Sequence, residues 1–464
     1  MHRMGEDGST LRPSGIASGG NTSEGERVPG LLRLFTGEAP LAQALPLSGE
    51  ALELGRGALL GEVQDPRMSR RHARVHFDGR HFHATDLGSQ NGTFVDGEQI
   101  PANTPREVRR VLRMGDSLFV PSPDVAPLQK RGVTLVDGFV RGPVLQQLLA
   151  EVTRAAKLGF SLHIHGESGA GKEGVARTFH QHGPQSEGPF VAVNCATIPQ
   201  GLAERLLFGA RRGAYSGADD AEGYLQTAHG GTLFLDEVVE LELAVQAKLL
   251  RALETREVLP LGALKAKKVE ILVCSASNKD LRALVSSGKL REDLYFRIGR
   301  PQVTLPPLRQ RPEELPLLLQ RAVQQISPQL GLHVTLVEAC LLRPWPGNVR
   351  ELLVEARTAA QAALMHGATR VEARHLSQSA GTAFGPAAVA PAPSSEERRA
   401  PREETSRAKP VAPEEKARIE EALRQNGGNV AATARALGMH RTQLRRLLER
   451  HAISASAGGD SDEG

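Results

Sequence analysis

Gly166, Glu167, Ser168, Gly169, Ala170, Gly171, Lys172 and Glu173 make a glycine-rich segment that contains a cation, set after an apolar stretch and before a helix-like one. Such glycines let the backbone turn tightly, so that several N–H groups and a helix N-terminus face phosphate oxygens while the lysine reaches the outer phosphates. On its own the pattern is a moderate signal. It strengthens because the run Gly230-Gly231-Thr232-Leu233-Phe234-Leu235 then delivers Asp236 and Glu237 side by side, one placed for a metal and one for an attacking water. Together the two segments point to hydrolysis of a nucleoside triphosphate.

Strands and helices must hold these groups. Between residues 132 and 378, apolar strand-like runs at 161–165, 190–194, 232–235 and 269–275 alternate with amphipathic helical stretches, which predicts a parallel sheet covered on both faces. Residues 31–126 differ. Short alternating runs there are broken by Asp78-Gly79, Asn91-Gly92 and Asp96-Gly97, the turn chemistry of an antiparallel sandwich. Residues 379–413 are rich in Ala, Pro, Glu and Arg and read as an extended linker, and residues 414–455 as a small helical unit. A disordered start over residues 1–30 and an acidic tail over 456–464 complete the expected organisation.

Composition narrows the class. A chain of 464 residues exceeds one ordinary core, and 40% hydrophobic residues suits a globular protein. No apolar run approaches the roughly 20 residues needed to span a bilayer, and no signal core is present, so a cytoplasmic protein with no membrane partner is expected. Cys195, Cys274 and Cys340 are far apart among apolar neighbours, which predicts buried thiols. Neither His81 with His83 nor His180 with His182 has a third ligand at metal spacing.

Further motifs follow in a fixed order: Leu207-Phe208-Gly209, Gly213-Ala214-Tyr215-Ser216-Gly217-Ala218, Gln246 to Arg251, Arg291 to Arg297, Leu305-Pro306-Pro307-Leu308-Arg309 and Trp345 to Leu352. This middle region resembles the AAA+ domain of bacterial enhancer-binding proteins, the activators of sigma-54 RNA polymerase, an α/β P-loop NTPase with a helical lid. The resemblance implies ATP and Mg²⁺ as cofactors, with Lys172 on the outer phosphates, Asp236 positioning Mg²⁺ and Glu237 polarising water. It implies that Asn194 is a switch holding the glutamate, Asn278 a first sensor and Arg350 a second. Arg291 and Arg297 would be fingers reaching a neighbouring protomer, so the active species would be a homo-oligomer between dimer and hexameric ring. A finger given in trans is worth about 10³ to 10⁵ in rate. Glu173 replaces the Ser or Thr of a generic phosphate loop, in agreement with this family's own version. Residues Gly213 to Ala218 match a sigma-contacting loop that reads Gly-Ala-Phe-Thr-Gly-Ala in the family. Tyr215 and Ser216 here stand for its aromatic and threonine.

Gly55-Arg56, Ser69-Arg70-Arg71-His72-Ala73 and Asp86 to Thr93 resemble a forkhead-associated (FHA) domain, an all-β sandwich that binds phosphothreonine peptides. The resemblance implies Arg56, Ser69 and Arg70 on the phosphate, Gln90 and Asn91 on the peptide backbone, and His72 bracing the loops. It also implies a phosphothreonine-bearing partner supplied by a serine/threonine kinase. A sandwich kept only for packing is the alternative. Residues 414–455 resemble an all-α Fis-type helix-turn-helix, which implies DNA contacts from His440, Arg441, Thr442, Gln443 and Arg445. The joint implication is an ATP-dependent transcription activator; a DNA-binding regulator working without sigma-54, with nucleotide controlling assembly only, stays open beside it.

Overall fold

The computed structural model describes residues 27–47, 49, 51–57, 65–215, 219–383, 419, 421–427, 429–437, 444 and 448. The chain falls into two units, Met1–Pro386 and Ala387–Gly464.

The first unit begins with strands β1 (Gly30–Thr36), β2 (Ala39–Pro46), β3 (Ala51–Leu54), β4 (Ala73–Phe77), β5 (Phe82–Asp86), β6 (Thr93–Val95), β7 (Glu98–Gln99), β8 (Pro105–Val108), β9 (Leu112–Met114) and β10 (Ser117–Ser122). They form two sheets, ordered β2-β1-β10-β9-β6-β7 and β3-β4-β5-β8. Alternation explains the packing: Phe82, Ala84 and Asp86 of β5 point inward while His83 and Thr85 are half-buried. The turn signals operate as their chemistry requires. Asp96 and Gly97 both take positive φ, 52° and 89°, between β6 and β7, and the Asp96 carboxylate accepts from the backbone N–H groups of Arg109, Arg110 and Val111.

Helix α1 (Ala126–Arg131) and the hairpin β11 (Thr134–Val136) and β12 (Phe139–Arg141) lead into the α/β region. There α2 (Pro143–Lys157), β13 (Leu162–His165), α3 (Lys172–His182), β14 (Phe190–Asn194), α4 (Ala203–Phe208), α5 (Tyr224–Thr227), β15 (Gly231–Asp236), α6 (Leu243–Thr255), a small hairpin β16 (Glu257–Val258) and β17 (Lys267–Lys268), β18 (Ile271–Ser277), α7 (Leu281–Ser286), α8 (Glu292–Ile298) and β19 (Gln302–Thr304) follow in turn. The parallel sheet runs β14-β15-β18-β13-β19. Four of its strands lie where the apolar runs predict, within two residues. The fifth, β19, is new: three residues between Pro301 and Leu305-Pro306-Pro307 are too few to show a periodicity. Two apolar clusters cover the sheet, one with α2 and α3 and one with α4, α6 and α8.

The lid is α9 (Leu315–Ile326), β20 (Gly331–Leu332), α10 (Val334–Leu341), α11 (Asn348–Met365) and β21 (Arg370–Val371). Its core is shared with the sandwich, because Phe35, Val111 and Leu118 join one buried cluster with Leu336, Val337 and Leu352. Around that contact, Arg113 of β9 lies 3.6 Å over the Phe94 ring and donates from Nε to Glu338 Oε2 of α10 at 2.8 Å. Arg110 donates to the Leu342 carbonyl, and Arg370 pairs with Glu38. Cys195, Cys274 and Cys340 are buried free thiols, and burial pushes the Cys195 and Cys340 thiols up to about 12.

In the second unit, Ile419, Leu423, Ala434, Leu444 and Leu448 form one apolar cluster. Helix Val430–Ala436 is capped by Asn429, whose Oδ1 accepts from Ala432 N at 3.1 Å.

Arg113 and Glu338 are only 17% and 9% exposed, and burial pushes the Glu338 carboxyl above the usual range against the opposing pull of Arg113. Arg113→Ala therefore strands a buried carboxylate and should cost about 2 to 4 kcal/mol, whereas Arg113→Leu combined with Glu338→Leu should cost less than the single change. Denaturant unfolding of the parent and both variants checks this, and equal losses would show that the pair is not what holds the sandwich on the lid.

Candidate functional site

Every backbone turn of the phosphate loop is forced. Strand β13 ends at His165, Gly166 N donates to Ser277 O of the neighbouring β18, and α3 starts at Lys172. Gly169 has φ +73°, and a Cβ there would lie 2.2 Å from the Gly347 carbonyl of the lid. No other residue tolerates that approach.

The Lys172 side chain is 6% exposed and spans the site. Its Nζ donates to Gly166 O at 3.1 Å and to Glu237 Oε1 at 3.2 Å, with Asp236 Oδ1 at 4.0 Å. Asp236 ends β15, and Glu237 follows at φ +50°, which turns its carboxylate back toward the lysine. Burial raises the Asp236 carboxyl, Lys172 opposes that, and Glu237 adds to it. Glu237 Oε2 also accepts from Asn278 N at 3.3 Å. Asn278 thus meets the glutamate through its backbone.

Asn194 sits opposite Asp236 in the β14–β15 register, yet its Oδ1 accepts from Ala196 N at 3.1 Å instead of touching Glu237. The cap of the short turn at Cys195–Thr197 has taken the side chain. Glu173 pairs with Arg177 one helical turn on and is exposed. Arg291 pairs with Asp293, and Arg297 Nη2 donates to Leu253 O at 2.9 Å, so neither is engaged by its own phosphate loop.

The lid grips the loop. Arg350 donates from Nη1 to Ser168 Oγ at 3.2 Å and from its backbone N to Gly169 O at 3.3 Å. Three further residues, to which sequence reasoning gave no role, do as much. Arg309 makes a two-point pair with Glu167 at 2.7 and 2.9 Å. Asn348, at φ +53° and fully buried, donates from Nδ2 to Glu167 Oε2 and Ser168 O and accepts from Leu308 N. Arg311, 1% exposed, joins Ala170 O to Glu314, whose other oxygen accepts from Gly142 N. Arg309 and Asn348 stood inside quoted motifs; only their long-range partners were invisible. Arg311 had no signal beyond its place beside Arg309.

Gly213, Ala214 and Tyr215 lie between α4 and α5, with Tyr215 44% exposed. Bridges Ala210–Ala221 and Ala210–Leu261 anchor the base of this segment. Ser216, Gly217 and Ala218 lie outside the described residues, as do His440, Arg441, Thr442, Gln443 and Arg445.

In the sandwich, Gly55 permits contact between loops, since a Cβ would lie 1.9 Å from Arg70 O. Arg56 N donates to Ser69 O, Gln90 N donates to Ser69 Oγ at 3.1 Å, and Asn91 Nδ2 donates to Arg67 O. The guanidiniums of Arg56 and Arg70 are exposed and make no ion pair among the described residues. His72 is fully buried: Nδ1 accepts from Ser69 N at 3.1 Å, so Nε2–H donates to Gly92 O at 3.1 Å. Burial lowers its pKa, which suits this neutral bracing form. His81 and His83 both lie near Asp78, at 3.9 and 3.8 Å, and His180 and His182 bond separately to Thr232 and to Thr178 O.

Comparison with known proteins gives four family matches: the sigma-54 interaction domain over residues 139–304, the AAA+ ATPase lid domain over 309–385, the FHA domain over 54–117 and the bacterial regulatory protein, Fis family, over 410–451. The chain is 33% identical to the transcriptional activator RocR of Bacillus subtilis over 68% of each chain. It belongs to the sigma-54-dependent transcriptional regulators. Regulatory protein LuxO of Vibrio cholerae is 38% identical over 68% of this chain and 61% of its own length, so the chain spans about three fifths of that relative. The solved structure of NtrX from Brucella abortus in complex with ATP aligns at 28% identity over 67% of this chain and 68% of that one, with a TM-score of 0.47. Among the described residues no helix of this regulator is long and apolar enough to cross a membrane.

Beside the clamp, burial and the neighbouring Glu314 push the Glu313 carboxyl up to about 7 from an ordinary 4.5. A folded-state pKa above the unfolded one gives stability that is complete below pH about 4.5 and is lost as pH rises through 7. Glu313→Gln should remove that decline and stand about 1 to 3 kcal/mol above the parent at pH 8. Unfolding curves at pH 5 and 8 decide it; parallel pH profiles for the two proteins would contradict it.

Proposed function

We propose that this regulator binds DNA upstream of a promoter and uses ATP hydrolysis in an oligomeric ring to remodel sigma-54 RNA polymerase, under the control of a phosphothreonine signal read by its FHA domain. The observation that carries the reading is the Lys172 ammonium, bridging Gly166 O and Glu237 beneath a lid that grips Glu167, Ser168 and Gly169.

Asp236 and Glu237 with terminal phosphate oxygens and water make an all-oxygen donor set, which fits Mg²⁺. Asp236 would hold that ion, and the ion would neutralise charge developing on the transferred phosphate. When a triphosphate enters, its oxygens replace Glu237 as the acceptor for Lys172. Glu237 Oε1 is then free to accept a proton from the attacking water, while Asn278 N keeps the carboxylate in place through Oε2. A switch role for Asn194 requires its side chain to leave Ala196 N. Arg350 would report the phosphate state to α11 through the loop it already contacts. Because Arg291 and Arg297 are not engaged by their own loop, their charge serves a neighbour's site, and turnover depends on assembly.

Arg56 and Arg70 offer two exposed cations beside Ser69, and a phosphothreonine near charge −2 matches them. The sandwich rests on the lid through Arg113, Phe94 and Glu338, so peptide capture and lid position share a physical link. Partners implied are DNA, sigma-54 polymerase, a phosphothreonine protein with its serine/threonine kinase, and further copies of the chain.

Phosphate release per protomer should rise steeply with protein concentration, and Glu237→Ala should lower it by at least about 10²-fold. Ser216→Ala should keep turnover yet lose open-complex formation in transcription with sigma-54 polymerase. Activation that survived both changes would overturn the reading. Separately, Arg56→Ala should weaken phosphothreonine-peptide binding by about tenfold or more, read by fluorescence anisotropy; unchanged affinity would leave the sandwich a packing element.

A further inference from the structure

A second polar cavity lies beside the sheet, on the face of β13 turned away from α2 and α3. Leu162 and Ile164 pack in the cluster formed with those helices, so strand alternation sends His163 and His165 to the other side. There a cavity of about 260 Å³ is lined by His163, His165, Asp280, Arg282, Tyr295 and Arg300.

Its charges are arranged around a gap. Arg282 Nε donates to Tyr295 Oη at 3.1 Å, and Arg300 donates to the same oxygen from Nε at 3.3 Å and Nη2 at 3.2 Å. Two cations thus crowd one neutral phenol, whose lone pairs cannot satisfy three donors well. Neither arginine has a carboxylate within ion-pair distance among the described residues; Asp280, on the same wall, caps α7 through Ala283 N, and its charge acts on Arg282 and His165 from further off. Like charges held this close are unfavourable unless an anion joins them.

His163 gives the cavity its second demand. The side chain is fully buried, and Nδ1 lies 2.9 Å from Ser275 Oγ. Ser275 donates its only hydroxyl proton to Ile298 O at 3.1 Å, so it must accept from His163 Nδ1–H. Nε2 then carries a bare lone pair, and it has no hydrogen-bond partner. Burial keeps the ring neutral, with a pKa down at about 4. A buried acceptor without a donor is costly, so a ligand that both carries negative charge and retains a proton would satisfy every group at once.

We propose that this cavity is an oxyanion site for phosphate: Arg282 and Arg300 bind its charged oxygens, and a P–O–H group donates to His163 Nε2. Phosphate keeps a proton at neutral pH and sulfate does not, so the site distinguishes the two. The ligand is inorganic phosphate, because a phosphate monoester near charge −2 has no P–O–H left to donate, and the proposal stands whether or not the chain turns over ATP.

The test uses the full chain with its phosphate loop saturated by a non-hydrolysable ATP analogue. Equilibrium dialysis with labelled inorganic phosphate should show saturable binding, at least tenfold tighter than sulfate competes for. Arg282→Gln and Arg300→Gln, both at exposed positions, should each weaken it tenfold or more, and His163→Leu should erase the preference over sulfate. Glycerol 3-phosphate run in parallel at pH 8, where a phosphate monoester has lost both protons, should compete no better than sulfate, and binding as tight as that of inorganic phosphate would overturn the P–O–H donor. The proposal fails if no phosphate binds beside the analogue or if sulfate binds equally well to the parent. It also fails if the arginine changes alter only self-association, which would make the pair a contact between protomers.

Discussion

Two consecutive carboxylates at the end of a buried strand need a cation, and among the described residues Lys172 is the one in ion-pair contact with both. At 3.2 Å from Glu237 the gross attraction is on the order of 5 kcal/mol at an effective dielectric near 20, before desolvation is counted. That attraction fixes the side chain from α3 against β15 and so defines the gap into which phosphates fit. It also makes the site a switch by competition. In the proposed mechanism a triphosphate would displace Glu237 from the ammonium, and the displacement would free the carboxylate for water.

The lid extends the same logic. Arg309, Asn348, Arg311 and Arg350 contact backbone or side chains from Glu167 to Ala170, so the conformation of the loop and the position of the lid are one variable. The sandwich then sits on that lid through a shared apolar cluster and a nearly buried ion pair. His72 ties Ser69 to Gly92, one residue before β6, and Phe94 of β6 carries Arg113 on its ring. A continuous path therefore runs from the loop at Ser69 to α10: hydrogen bonds through His72 to Gly92, two residues of backbone to Phe94, a ring contact to Arg113 and an ion pair to Glu338.

Much of this was legible in the sequence where spacing alone sets the chemistry. Gly166 to Lys172, Asp236 with Glu237, and the turn dipeptides of the sandwich all act within a few residues, and four strands of the sheet announce themselves as apolar runs. Contacts between distant segments were not legible. Arg311 meets Ala170 across 141 residues, Arg113 meets Glu338 across 225, and no local pattern records either. Asn194 shows the other limit: its position was readable, but a competing backbone N–H two residues on captured the side chain. Strand β19 was too short to declare itself, and the His163–Ser275 pair became visible only when β13 and β18 were laid side by side.

The account turns on a site completed by a neighbouring protomer, and mixing two inactive variants tests that directly. Lys172→Ala lacks a working phosphate loop but keeps its finger arginines, while Arg291→Ala combined with Arg297→Ala has an intact loop and no finger. Each alone should release almost no phosphate, and an equimolar mixture should recover a substantial fraction of parental turnover. A mixture as inactive as its components, in samples shown to co-assemble, would contradict the account.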